Sequence, residues 1–238
     1  MRSKKDMIPA AFTVGNMFCG FLSILFALDG NLLASAWLVI LAGFLDGIDG
    51  KLAQLLGSTS QFGIELDSFA DAISFGFVPA ILSYWSGYLI YGTWGKILCF
   101  IFLASGVFRL VRFNVKVEFE SREFFNGLPI TASAMVIVGY LLFSHRVWTE
   151  VGHFQLLNIM LPVLSVLMIS NIRYDNLPNF SFDNRWNKIK LLYVFVGILG
   201  VLIEPRLTLF PLGAIYVLSG IVRGTYGFIE RRRRPSDG

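Results

Sequence analysis

Long apolar blocks separated by short polar connections dominate the chain. Residues 8–28, 32–45, about 69–91, 94–110, 128–143, 154–169, 191–203 and 207–222 form eight such blocks. A membrane-crossing helix takes about 20 mostly apolar residues. The pattern predicts an all-α fold, a polytopic membrane helix bundle of about eight transmembrane helices, with the sixth and seventh short. The first block lacks a small-residue cleavage site and others follow it, so it is expected to stay as a span. No internal repeat and no Pro/Gly/Ser-rich linker divides the chain. Residues 1–238 read as one integral-membrane domain, with a core at about 8–175 and additional helices at about 189–228. The longest polar connections, 112–126 and 171–190, mix aromatics with charges and are expected to form short interfacial helices.

Composition strengthens this reading. Only 15% of the 238 residues are charged and 55% are hydrophobic, against about 25% charged in soluble domains. Too few charges remain to coat a soluble globule of this size. The net charge is +4, from 20 Lys and Arg against 16 Asp and Glu. If both termini are cytoplasmic, only Lys96, Arg146 and Arg206 of those basic residues fall outside, as the positive-inside rule requires. An odd number of spans would put one terminal basic cluster on the wrong side. The Arg231–Arg234 run therefore reads as a topology anchor that touches anionic lipid, and no nucleic-acid partner is expected. Cys19 and Cys99 lie in apolar runs and read as small buried hydrophobes. His145 and His153 fall in the outer connection after the fifth block, where no metal role is expected. Trp37, Trp85 and Trp94 read as interfacial aromatics.

Four acids interrupt the apolar pattern. Asp46, Asp49, Asp67 and Asp71 sit inside or beside helix-forming apolar sequence. An Asp near the bilayer centre costs roughly 2.5–3.5 kcal/mol, so four together need a compensating partner. Asp46 and Asp49 are at i, i+3 and Asp67 and Asp71 at i, i+4, so each pair shares a helix face. The cluster Gly57-Ser58-Thr59-Ser60 between them is turn-like, and Ser58 with Gln61 has the spacing of a capping box. An antiparallel hairpin centred on Ser58 sets Asp49 level with Asp67 and Asp46 level with Asp71. Hard oxygen ligands favour Mg²⁺ or Mn²⁺. Gly47, Gly50, Ala53, Gly63 and Ala70 allow close helix packing, or form a floor for a phosphate-bearing ligand. Carboxylates, a divalent cation and an open polar mouth point to phosphoryl chemistry.

This segment resembles the signature of the CDP-alcohol phosphatidyltransferases, D-x2-D-G-x2-A-R-x8-G-x3-D-x3-D. It reads here as Asp46, Asp49, Gly50, Ala53, Gln54 in place of arginine, Gly63, Asp67 and Asp71, seven of eight fixed positions. Such a match arises by chance on the order of once in 10⁸ positions. Stretches 15–21, 66–71, 109–114, 125–129 and 170–174 are similar to the phosphatidylserine synthase branch of that family, with Thr131 a mild departure.

The resemblance implies an enzyme that moves the phosphatidyl group from CDP-diacylglycerol to L-serine, giving phosphatidylserine and CMP. Asp46, Asp49, Asp67 and Asp71 would hold two Mg²⁺ or Mn²⁺ ions, and Asp71 would also be the general base. Asp49, Gly50, Ala53, Gln54, Ser60 and Gly63 would line the CDP-lipid site. Glutamine replaces a charged fork with a neutral hydrogen bond, and Lys51, one turn away, is a candidate source of the missing charge. Asn16 either reaches the nucleotide or bonds between helices. Arg109 and Arg112 either meet the lipid phosphate or the serine carboxylate, or anchor topology. A homodimer in the bacterial cytoplasmic membrane, with the site facing the cytoplasm, completes the expectation. The alternatives are another acceptor alcohol (glycerol phosphate, inositol phosphate or choline) and, outside the family, a divalent-cation transporter.

Overall fold

Lipid offers no partner to a backbone N–H or C=O, so an apolar block satisfies its own backbone as helix. The computed structural model describes residues 4–57, 60–117, 125–148, 154–174, 197, 199–201 and 203–233. The helices are α1 (Lys4–Leu28), α2 (Leu32–Leu56), α3 (Gln61–Asp71), α4 (Val78–Ser86), α5 (Thr93–Val117), α6 (Ile130–Trp148), α7 (Phe154–Ile169) and α8 (Pro205–Arg233). Among the described residues, six helical stretches are long and apolar enough to cross a bilayer, with α3 and α4 counting together as Gln61–Ser86. The chain is an integral membrane protein by this measure. The 16 residues of α7 span about 24 Å at 1.5 Å per residue, short of a hydrocarbon core of about 30 Å.

Local signals set the helix ends. Asn31 caps α2 by accepting from the Ala34 N–H at 3.1 Å. Gly57 ends α2 with φ 60°, a left-handed conformation that glycine adopts without strain. Ser60 caps α3 by accepting from the Gly63 N–H at 3.1 Å. Ser58, expected to cap this helix, lies outside the described residues. Between α3 and α4 the backbone winds as a π-helical turn, Ala72–Phe77. Pro79 follows it and has no N–H for the carbonyl four residues back, which favours the wider turn.

The structure moves several predicted boundaries. The second block stays helical beyond Leu45 to Leu56, and the third begins at Gln61 and stops at Ser86, before a 3₁₀ turn at Tyr88–Tyr91. The acids and Lys51 break the hydropathy pattern without breaking the helix. His145 lies in the last turn of α6, not in a loop, and His153 is outside the described residues. Of the predicted span 191–203, only 197, 199–201 and 203 are described, and these are helical.

The connections expected to be interfacial helices differ where they are described. α5 runs on to Val117, and Phe125–Asn126 (β1) pairs antiparallel with Arg173–Tyr174 (β2). Gly127 explains the close approach. It has φ 85°, and a Cβ there would meet the Met168 carbonyl and, at 2.7 Å, Arg112. Its N–H donates to the Ile172 carbonyl at 2.8 Å.

The core lies among α4, α5, α6 and α7, around Phe75, Leu82, Phe102, Ile137, Leu141 and Leu157. Cys19 and Cys99 are buried free thiols. Trp94 is 72% exposed, whereas Trp37 packs against the core and lies 5.9 Å beneath the Arg206 guanidinium. α8 packs antiparallel on α6, with Gly139 against Phe210 and Gly213 against Val136.

Candidate active site

Two helices joined at the Gly57 and Ser60 caps deliver the acids. One carboxylate oxygen from each of Asp46, Asp49 and Asp67 falls within 4.8 Å of the others. Asp71 is set behind this trio, in hydrogen-bonding contact with Asp46. Asp49 and Asp71 are buried, while Asp46 and Asp67 are half-buried at the rim.

α1 closes the back of the site. Asn16 is fully buried, and its Nδ2 donates to Asp71 Oδ1 at 3.4 Å. Ser74, in the π-helical turn, donates to the Asn16 carbonyl at 3.0 Å. Gly20 lets the two elements meet, because a Cβ there would overlap the Ser74 side chain. Thr13, one turn before Asn16, lies beside Asp49. Asn114 Nδ2 donates to Ser68 Oγ at 2.9 Å and ties the end of α5 to α3. Thr13, Ser74 and Ser68 were not singled out from the sequence. Thr13 left one trace there, since it stands at i−3 from Asn16 on the same face of an apolar helix.

The donor set fits a divalent cation. Asp49 Oδ2 and Asp67 Oδ1 are buried without a hydrogen-bond partner among the described residues. A buried, unsatisfied oxygen costs about 1–3 kcal/mol. Two carboxylates 4.8 Å apart repel by about 3.5 kcal/mol at an effective dielectric of about 20. A hard cation held by oxygen ligands relieves both costs. Among the described residues no histidine or cysteine joins the group, which favours Mg²⁺ or Mn²⁺ over zinc.

The rim is open. Gly47 and Gly50 are exposed, and a Cβ on either would meet nothing within 4 Å. Lys51 and Gln54 are exposed beside them, and Ala53 and Gly63 are half-buried. The Ser60 hydroxyl is engaged in capping α3.

The two arginines of α5 part company. Arg112 donates to the carbonyls of Ile169 at 2.8 Å, Ser170 at 3.2 Å and Met168 at 3.3 Å, and to Asn171 Oδ1 at 3.4 Å. It closes the C-terminus of α7, where carbonyls without helical partners attract a cation. Arg109 is 7% exposed. Its charged and phenolic neighbours are Asp71, Arg112 and Tyr216, and it lies 6.0 Å from the Phe113 ring. Arg109 therefore faces the acids, and Arg112 faces the backbone of α7.

Fold and site together define a membrane helix bundle with an oxygen-lined acidic centre where two helices join. The chain matches the CDP-alcohol phosphatidyltransferase family over residues 6–170 and belongs to it. It is 34% identical over 225 residues to a Helicobacter pylori protein described as CDP-diacylglycerol–serine O-phosphatidyltransferase, with 94% of this chain and 93% of the relative covered. A Bacillus subtilis protein of the same description is 33% identical over 186 residues, covering 76% of this chain and 99% of the relative. A Methanocaldococcus jannaschii protein, again so described, is 33% identical over 216 residues, covering 89% and 90%.

Proposed function

We propose that this chain transfers the phosphatidyl group of CDP-diacylglycerol to L-serine, giving phosphatidylserine and CMP. The observation that carries the reading is the acidic cluster, three carboxylates within 4.8 Å of one another backed by Asp71 and Asn16. Relatives described as serine phosphatidyltransferases over nearly the whole chain supply the acceptor.

Asp46, Asp49 and Asp67 would hold the cation, and Asp71 would extend the set toward a second ion. A divalent cation bound there supplies positive charge to the diphosphate and to the departing CMP. Asp71 takes the proton of the serine hydroxyl as that oxygen bonds to the lipid-side phosphorus. The bond from this phosphorus to the bridging oxygen breaks, and CMP leaves with the electron pair. Asn16 orients Asp71 through its amide. Gly47 and Gly50 leave room for the nucleotide diphosphate, with Lys51 and Gln54 at its edge. Arg109 is the cation for the serine carboxylate or the lipid phosphate.

An apolar groove of about 560 Å³ runs along α1 between Val14 and Ile24 and is also lined by Ile73 and Phe77. It starts two residues beyond Asp71 and extends away from the acids along the helix. Its position and lining suit an acyl tail of the donor. The same reading has eight crossings, both termini and the site on the cytoplasmic side of a bacterial inner membrane, and a homodimer to be read by cross-linking.

The test is CMP release by purified protein in detergent with CDP-diacylglycerol and Mn²⁺ or Mg²⁺. Release should require L-serine, stop with a chelator, and fall at least 100-fold in Asp71→Asn with the thermal midpoint held. Release with another alcohol alone discards serine and keeps the family reaction. Folded protein that releases no CMP with any acceptor overturns the reading.

A further inference from the structure

Asn16 lies on α1, outside the acidic motif, and is fully buried. Its Oδ1 has no hydrogen-bond partner among the described residues, the same state as Asp49 Oδ2 and Asp67 Oδ1. The other end of its amide reaches the acids, with Nδ2 3.4 Å from Asp71 Oδ1. The usual N–H···O distance is about 2.7–3.2 Å, so this bond is long and offsets little of the cost of burying a whole amide. The two ends of an amide are about 2.3 Å apart, so Asn16 Oδ1 lies within about 6 Å of Asp71 Oδ1.

The backbone under this amide is pinned. Ser74 donates to the Asn16 carbonyl at 3.0 Å, and Gly20 leaves no space between α1 and Ser74. Asp71 stands one turn beyond Asp67 on the same face of α3. The Asn16 amide therefore adjoins the part of the cluster beyond the trio of Asp46, Asp49 and Asp67.

The partner that this oxygen lacks must be small, because the atom is closed to water. A hydroxyl or an ammonium group is about the size of a water molecule, whereas a bare Mg²⁺ or Mn²⁺ is smaller. Carbonyl oxygens are suitable ligands for such hard cations. Charge favours a neutral ligand as well. Four carboxylates already balance two divalent cations, and a further buried charge would be costly.

We infer that Asn16 is a fifth protein ligand of the metal centre, its Oδ1 coordinating the second divalent cation together with Asp71. The inference rests on the reading in which Asp71 extends the acidic set toward a second ion. Metal loading then joins α1 to α3 through one cation.

The experiment is Mn²⁺ titration of the full chain in detergent without substrate. Bound and free metal are separated by the electron paramagnetic resonance signal of free Mn²⁺. Wild type should bind two ions per chain. Asn16→Leu, similar in size and without the oxygen, should keep one ion and hold the other at least tenfold more weakly. Asn16→Asp keeps an oxygen and loses the N–H, so it should retain both ions. Two ions held unchanged in Asn16→Leu overturn the inference, since the amide then only hydrogen-bonds. An ion lost in Asn16→Asp overturns it too, since the N–H and not the oxygen is then what matters. This arm decides the question even where leucine prevents folding. A single ion in wild type overturns the reading of a second ion, and the inference with it.

Discussion

Gln54 is the residue at which this chain departs from the family signature. It is exposed at the rim, on the same helix as Gly47, Gly50 and Lys51, where no packing demand explains a glutamine. A neutral amide gives a phosphate a single modest hydrogen bond, and a guanidinium gives a charged fork. Restoring it in Gln54→Arg should lower the KM for CDP-diacylglycerol about fivefold, roughly 1 kcal/mol, and leave the serine KM alone. An unchanged donor KM would mean that Lys51 already supplies the charge. At this scale the sequence was informative where spacing alone decides geometry. The i, i+3 and i, i+4 acids share helix faces whatever surrounds them, and one turn brings the faces together. It was silent where a long side chain chooses between tertiary partners. Arg109 and Arg112 are one turn apart and chemically identical, and only the position of the α7 carbonyls separates their roles. The sequence offered Ser58 as the cap of α3, whereas the hydroxyl that accepts from the Gly63 N–H is that of Ser60.

Glycines inside helices show the same division between elements. Gly50 lies in α2 beside open space, whereas Gly95, in the first turn of α5, has the Tyr88 carbonyl where its Cβ would go. Composition gives them equal weight. Their substitutions should diverge in thermal unfolding and in kinetics. Gly50→Ala should keep or raise the thermal midpoint, because alanine favours helix over glycine by roughly 0.5–1 kcal/mol. It should raise the KM for CDP-diacylglycerol at least fivefold if the open space is the floor of the nucleotide site. Gly95→Ala should destabilise by about 1–3 kcal/mol, the usual cost of overpacking, with the KM values of the folded fraction unchanged. Other features of the elements were not legible. The π-helical turn after Asp71 depends on Pro79 meeting a backbone that is already packed against α1. The β1–β2 ladder joins segments far apart in sequence, and two-residue strands carry no periodicity to read. Gly213, Gly220 and Gly224 fall on one face of α8, a spacing not singled out from the sequence, and Tyr174 meets that face at Gly220.

The whole molecule fixes the direction of each helix relative to the acids. Asn114 bonds Ser68, next to Asp67, and Arg112 bonds the end of α7, so the α5–α6 connection and β2 lie at the acid end. α8 begins with Arg206 over Trp37, near the start of α2 and so at the opposite end. It finishes with Gly224 beside Ile172, back at the acid end. Gly197 packs on Leu212 and Gly200 on Thr208, antiparallel to the first turns of α8. The eight-crossing topology proposed above would need one more crossing between β2 and α8 and would return the C-terminus to the side of the N-terminus. The basic residues then select which side this is. Each Lys or Arg beside an anionic cytoplasmic leaflet contributes about 1 kcal/mol, and the run Arg231–Arg234 begins in the last turn of α8. Single cysteines in a background lacking Cys19 and Cys99 test the parity. In right-side-out vesicles a membrane-impermeant maleimide should label Thr93→Cys, at the start of α5, and should reach Ser3→Cys and Ser236→Cys only after the membrane is opened. Labelling of Ser236→Cys together with Thr93→Cys in intact vesicles would make the number of crossings odd. The basic run would then lie outside, against the charge distribution of every other connection.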